Sequence, residues 1–389
     1  MNVLFVSGYE LESPNANSVC LSRIIDEMKH YGDLSIDVIG DSIFENEELS
    51  WKSSPSAFLK RIIHWPAVQP DAIKTCIEKI TSLNIDIYDF IIAPHKPYEV
   101  VAAILKLKDR INKAKIYLYE LDPMTNEIDK INGVGRHLFI ISRFKERLMY
   151  NKVDHIFHME CNRNKYSRNE YKRYNSKSSY LDFPILTGEL NPIATSYERD
   201  NNIRFLYSGG LDRTYRNPSY VLSILDALTQ HDTCNSYVYQ FFSKGNCEDD
   251  IAEIAQRNHS FVQYGYVNQD VLIEYYGKAD FLINISNQFS DMVPSKVFAY
   301  ISQCKPIIHF TNNHRDGCIP YLKRYDLSLI VDENDLFEEN VQKVITFVNN
   351  NVGKTLEYNR IKQLFIKNTA KWSAEQILEQ MKKDCPNGV

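Results

Sequence analysis

Short apolar runs with a β-branched bias recur along the chain, separated by stretches whose apolar residues return at helical spacing. In the first half, Val3–Val6, Ser35–Ile39, Phe90–Ile92, Ile116–Tyr119, Leu138–Ile141 and His155–Phe157 read as buried strands. Ser18–Lys29, Tyr98–Lys108 and Lys145–Tyr150 read as helices between them. Alternation of this kind implies a parallel sheet covered on both faces. A polar stretch over Glu189–Asn202, with Pro192 inside it and Gly188 before it, breaks the pattern and reads as a linker. The pattern then restarts with Ile203–Tyr207, the glycines of Ser208-Gly209-Gly210, a helix Ser219–Thr229 and a strand Tyr237–Phe242. A helix Asp249–Asn258, a strand Phe261–Gln263 and a helix Gln269–Gly277 follow. Leu327–Val331 reads as a last strand and Leu336–Asn349 as a helix. Two α/β units with the same grammar predict twin Rossmann-like domains, 1–188 and 203–368, joined by 189–202. A final amphipathic helix over 369–389 has Ser373 and Gln376 as a capping box.

The segment from Phe281 to His309 carries the most chemistry. Phe281–Ile285 is a strand, a polar loop follows, Pro294 suits the first turn of a helix, and Lys305-Pro306 ends that helix before a strand at Ile307-Ile308. A polar loop feeding a helix start offers free amides and a positive dipole end, and Lys296 adds a full charge. A phosphate is the guest that suits this arrangement. Ser286 and Asn287 stand at the strand's carboxyl end, where α/β folds bind ligands. Asp291 reads either as a sugar ligand or as the cap of the following helix.

These residues resemble the donor-binding signature of GT-B glycosyltransferases, in particular the large retaining family with a Glu-x7-Glu motif. The match runs through Pro294-Ser295-Lys296, Phe298, Tyr300 and Lys305-Pro-Ile-Ile308. The resemblance implies an α/β fold of two Rossmann-like domains facing a central cleft, with the C-terminal helix crossing back to the first domain. It implies that Asp291 takes the place of the first carboxylate, which meets the donor sugar. Pro294, Ser295 and Lys296 would lie on the donor diphosphate. The second carboxylate, which binds the ribose in the family, is replaced by Ala299. Gly209 and Gly210 match a loop that lies against the donor phosphates, and Lys244, in Phe242-Ser-Lys-Gly245, matches a turn closing the donor pocket. Arg213 and Arg216 read either as bidentate phosphate ligands or as a solvated basic loop. The run Tyr264–Val267 matches the family's nucleobase loop, whereas Tyr275 and Tyr276 read as core.

Acceptor-side signals are sparser. Gly8 and Tyr9 end the first strand, where the family carries a flexible loop. His95 ends another and offers a base, although a lone histidine there is more often structural. Glu120 and Asp122 end the next and offer a proton acceptor or a sugar-hydroxyl ligand. Asp122-Pro123 is also an ordinary turn start.

Composition narrows the class. A length of 389 residues suits two domains. No apolar run approaches the ~20 residues that span a bilayer. Met1–Ser7 lacks a basic flank and reads as a core strand, not as a signal peptide. Eight cysteines without a Cys-x-x-Cys indicate neither zinc nor a disulfide framework, so no metal or cofactor beyond the donor is expected. A net charge of −5 argues against general nucleic-acid binding. Arg163–Lys177 holds six basic residues against one acidic, with interleaved tyrosines. It reads as a solvated helix or as a peripheral contact with anionic lipid headgroups. The combined expectation is a cytoplasmic, metal-independent, retaining glycosyltransferase. It would move a hexose-type sugar to a glycan, lipid-linked or protein acceptor in bacterial surface polysaccharide or glycoconjugate assembly. The alternatives are a non-catalytic GT-B subunit and a nucleotide-sugar 2-epimerase.

Overall fold

The computed structural model describes residues 1–13, 15–44, 65–67, 69–111, 113–125, 135–186, 200–288 and 293–385, with 135–138 and 269 described by backbone alone. The chain divides into two compact units, Met1–Ile185 with Lys367–Val389, and Leu186–Ile366.

The first unit is a parallel sheet of β1 (Asn2–Val6), β2 (Ser35–Ile39), β3 (Phe90–Pro94), β4 (Lys115–Glu120), β5 (His155–Met159) and β6 (Ser178–Leu181). Their order is β2-β1-β3-β4-β5-β6, so direction along the sheet reverses between β1 and β3. Strands β3 and β5 are buried at every position, as expected of a sheet covered on both faces. The helix Ala16–Met28 starts on Asn15, whose side chain accepts from the Ser18 amide at 2.9 Å. The last helix, Ala370–Asp384, belongs to this unit and packs on the first helix. Thr369 caps it by accepting from the Trp372 amide, while Ser373 lies buried inside the helix, so the capping box expected at Ser373 is not used.

Four features of this unit differ from the sequence reading. Leu138–Ile141 is helical, part of Gly135–Lys152. Its continuous apolar run mimics a strand, but the residues after it repeat every fourth position, with Ser142, Glu146 and Tyr150 buried on one face. The helix Pro70–Thr81 and the strand β6 were not anticipated. The run Arg163–Lys177 is not one helix. It forms a short α-turn, Arg163–Tyr166, and a 3-10 stretch, Lys172–Lys177.

The second unit is a parallel sheet of β7 (Asn202–Leu211), β8 (Ser236–Gly245), β9 (Phe261–Gln263), β10 (Phe281–Ile285), β11 (Ile307–Thr311) and β12 (Ser328–Asp332). Their order is β12-β11-β10-β7-β8-β9. The unit's first strand therefore lies at the centre and the order reverses between β7 and β10. Helices Ser219–His231, Glu248–Arg257, Gln269–Lys278 and Phe337–Asn351 were anticipated within a residue or two. Lys305 does more than end a helix. Its ammonium donates to the carbonyls of Tyr276, Gly277 and Ala279 at 2.7, 2.6 and 2.5 Å, closing the end of the preceding helix. Most of the expected linker, 187–199, falls outside the described residues.

Candidate functional site

Parallel α/β sheets leave a crevice outside the carboxyl ends of the two strands where the order reverses. In the second unit those strands are β7 and β10. Their trailing loops are joined there: the Arg216 guanidinium donates to Asn287 Oδ1 at 2.7 and 3.2 Å, and the Gln288 amide donates to the Tyr215 carbonyl at 3.0 Å. The Asp212–Arg216 turn is shaped by its own Asp212, whose carboxylate accepts from the Thr214 and Tyr215 amides. Behind the loops, Tyr300 accepts from the Ser208 amide at 2.8 Å and Ser208 Oγ meets Tyr276 OH at 2.6 Å, both within the core. Tyr276 is thus a core residue, while half-buried Tyr275 packs on Phe242 and Tyr264.

Lys296 opens the helix Lys296–Ser302, which follows β10. Its side chain is half-buried, and burial pulls its pKa below the ordinary lysine range. Among the described residues no carboxylate or hydrogen-bond acceptor pairs with it. A desolvated cation without a counter-charge is costly in an empty protein and useful to an anionic ligand. Pro294 lies before this helix, not in its first turn, and Ser295 precedes it without a capping bond from its side chain. Ser286 is buried, and its amide extends the ladder to the Phe310 carbonyl at 2.9 Å. Asp291 lies outside the described residues.

Other expected donor residues are placed differently. Gly209 and Gly210 do not form a turn after β7. They lie inside it, paired with Ser243 and Lys244 of β8, because the two strands run together for their full length. The glycine that this pairing requires is Gly245: a Cβ there would stand 1.8 Å from the Leu211 carbonyl oxygen. Lys244 is exposed near the end of β8. Arg213 is exposed and bound to Asp250 at 2.9 Å, so it is not a free phosphate ligand. The buried chain Asn284–His309–Asp316 has no local sequence signature. His309 meets Asn284 Nδ2 at 2.8 Å and Asp316 Oδ2 at 2.7 Å, tying the end of β10 to the loop after β11.

In the first unit the reversal lies between β1 and β3, whose ends carry Gly8, Tyr9 and His95. Gly8 is not part of a free loop. Its φ is +80°, and a Cβ would meet Val100 Cγ2 at 2.4 Å. Tyr9 packs on Phe44 with centroids 5.6 Å apart. His95 and Glu120 are both buried, with Nδ1 3.0 Å from Oε2 but out of hydrogen-bond alignment. His158 Nδ1 approaches the other carboxylate oxygen at 3.0 Å, and the hydroxyls of Tyr150 and Tyr166 donate to the two oxygens. Burial alone would raise the Glu120 pKa, but the imidazoles of His95 and His158 outweigh it and hold the carboxyl well below its usual range. Neighbouring Glu146 is also buried, and there desolvation wins and raises the pKa. Glu120 is therefore enclosed by its partners and does not present an oxygen to a sugar hydroxyl. Asp122 is partly exposed, 3.9 Å from Lys96.

No protein-family model matches the sequence, and no curated protein matches it. Solved structures do. Sucrose-phosphate synthase from Thermosynechococcus elongatus superposes with a TM-score of 0.66 at 10% identity over 98% of each chain. An α,α-trehalose 6-phosphate synthase from Burkholderia multivorans gives 0.62 at 8% identity over 100% of each. The chain has the GT-B fold. At these identities the likeness establishes architecture, not chemistry. A third GT-B neighbour is S. aureus TarM, solved in complex with fondaparinux, α-GlcNAc-glycerol and UDP. It gives a TM-score of 0.54 at 12% identity over 80% of this chain and 58% of that one. Within this GT-B chain, the two sheet reversals each carry a group of the expected residues: Gly8, Tyr9 and His95 in one unit, and Ser286, Asn287 and Lys296 in the other.

Proposed function

We propose that the protein is a glycosyltransferase whose second unit binds a nucleotide-diphosphate sugar at the carboxyl ends of β7 and β10. The observation that carries this is Lys296, a half-buried cation with no counter-charge among the described residues, at the start of the helix after β10. A diphosphate supplies the missing charge. As the glycosidic bond to the leaving nucleoside diphosphate breaks, negative charge grows on that group and must be neutralised. Lys296, Arg216 through its Asn287-anchored guanidinium, and the loop amides supply this without calling on a metal. Asp291 meets the sugar hydroxyls in this reading, and Asp122, partly exposed beside Lys96, serves the acceptor side. Retention of anomeric configuration is part of the proposal, as are a hexose-type donor sugar, a glycan or lipid-linked acceptor, and a role in surface glycoconjugate assembly. The GT-B fold supports the reading, and one neighbour was solved with UDP.

A second reading, a non-catalytic GT-B subunit, is favoured by Ala299 where the family has its ribose carboxylate. Incubation with a panel of nucleotide sugars, reading nucleoside diphosphate release with and without sugar acceptors, separates the two. Release that falls sharply in Asp291→Asn supports the enzyme. Nucleotide binding without release from any donor supports the subunit.

A further inference from the structure

The helix Gly135–Lys152 has a face that stands exposed among the described residues. Its inner positions Ser142, Glu146 and Tyr150 are buried. On the opposite side, Ile140, Phe144 and Leu148 are 61%, 61% and 43% exposed, one per turn in a continuous stripe. Single exposed apolar residues are ordinary, but three aligned large ones are not. At ~100° per residue, Arg143 and Arg147 fall on one flank of the stripe and Lys152 on the other, while Lys145 turns inward to donate to the Trp65 carbonyl.

The charge around the stripe is one-sided. Residues 135–177 hold eleven Lys and Arg against four Asp and Glu, in a chain whose net charge is −5. One of those carboxylates, Glu146, is buried. Arg143 and Arg147 share a single partner, Glu170. The basic run expected to touch lipid is fastened to this helix from within. Tyr171 donates to Glu146 at 2.7 Å, Tyr174 donates to the Arg147 carbonyl at 3.1 Å, and Tyr166 is buried against Tyr150. The tyrosines are therefore core, and Arg163, Arg168, Lys172 and Arg173 are left on the exposed side of the segment.

We propose that the outer face of this helix docks the first unit on an anionic lipid surface. Ile140, Phe144 and Leu148 enter the headgroup boundary, and the flanking Arg143, Arg147 and Lys152 meet lipid phosphates. A convex stripe with cations on both flanks is the pattern of an in-plane interfacial helix. Long Arg and Lys stems let the charge reach the headgroups while the methylenes cover apolar surface. The contact lies on this helix, not on the basic run beside it, and does not depend on Lys296.

The test is co-sedimentation of the full chain with vesicles of phosphatidylcholine containing about one-third phosphatidylglycerol. Binding that exceeds binding to pure phosphatidylcholine, weakens with salt, and falls about tenfold or more in the Ile140→Ser, Phe144→Ser, Leu148→Ser triple variant supports the proposal. The sites are exposed, so the triple variant is expected to fold, and its circular dichroism checks this. In Phe144→Trp, tryptophan emission should shift to the blue on adding anionic vesicles. No binding to anionic vesicles overturns the proposal, as does binding that ignores the triple variant. A concentration-dependent dimer abolished by the triple variant, without lipid binding, also overturns it and assigns the face to a second copy.

Discussion

The carboxyl ends of the two sheets are both polar, yet they differ in how their charges are met. In the first unit His158, Tyr150 and Tyr166 bond to Glu120, and His95 stands 3.0 Å from it as a charge partner without a hydrogen bond. In the second unit Lys296 is half-buried with no partner among the described residues. Glu120 and His95 are satisfying candidates on residue type alone, but an enclosed carboxylate reports on stability. A charge left without its complement reports on a ligand. The distinction between a structural and a functional polar group thus lies in its unmet requirement, not in its position at a strand end.

The comparison breaks most clearly at Glu120. Glu120→Gln should lower the unfolding free energy by about 3–5 kcal/mol, because it removes the charge that two buried imidazoles face. Urea denaturation measures this, and a loss below about 1 kcal/mol would make the cluster incidental. The same cluster has a pH signature. Glu120 has a depressed folded pKa, so its contribution is present above the ordinary glutamate range and lost as pH falls from that range through the depressed folded value. Glu146 has a raised folded pKa, and its contribution runs the other way, lost as pH rises through its folded value. Acidification below about pH 4 should therefore destabilise the wild type more than Glu120→Gln. Parallel curves would contradict the assignment.

At Lys296 the expected effects divide differently. Lys296→Met should leave the unliganded protein as stable as the wild type or slightly more so, since a desolvated charge is removed. Its affinity for nucleoside diphosphates should fall about tenfold or more, corresponding to roughly 1.5–3 kcal/mol for a charge-assisted bond. A marked loss of stability with unchanged affinity would move Lys296 into the same class as Glu120. A smaller effect sharpens the contrast inside the second unit. Arg216→Ala should cost about 1.5 kcal/mol by freeing the β7 and β10 loops from each other, and should weaken nucleotide binding. Arg213→Ala should leave both unchanged, because Arg213 is exposed and engaged with Asp250. Equal effects at the two arginines would remove the argument for Asn287 as the anchor.

The strands were legible where burial on both faces writes a nearly continuous apolar run, as at Phe90–Ile92 and Phe281–Ile285. The same signal misleads at Leu138–Ile141, where four apolar residues open a helix and only the later spacing reveals it. Strand β6 is short and half-buried, so its sequence carries no such run. Gly209 and Gly210 read as a turn because the pairing that extends β7 depends on β8, beyond any local pattern. The enclosure of Glu120 joins β3, β4 and β5 with Tyr150 and Tyr166, a meeting that only the sheet order creates. The helix start at Lys296, by contrast, was readable from its neighbours alone, since a proline before it and a strand after it mark it locally.

The most direct test is calorimetric titration of the wild-type protein and Lys296→Met with UDP, GDP, ADP and TDP. The account predicts saturable binding of at least one of them to the wild type, weakened about tenfold or more in the variant. No binding of any of these up to millimolar concentration, or equal binding by both proteins, would contradict a diphosphate site at the ends of β7 and β10.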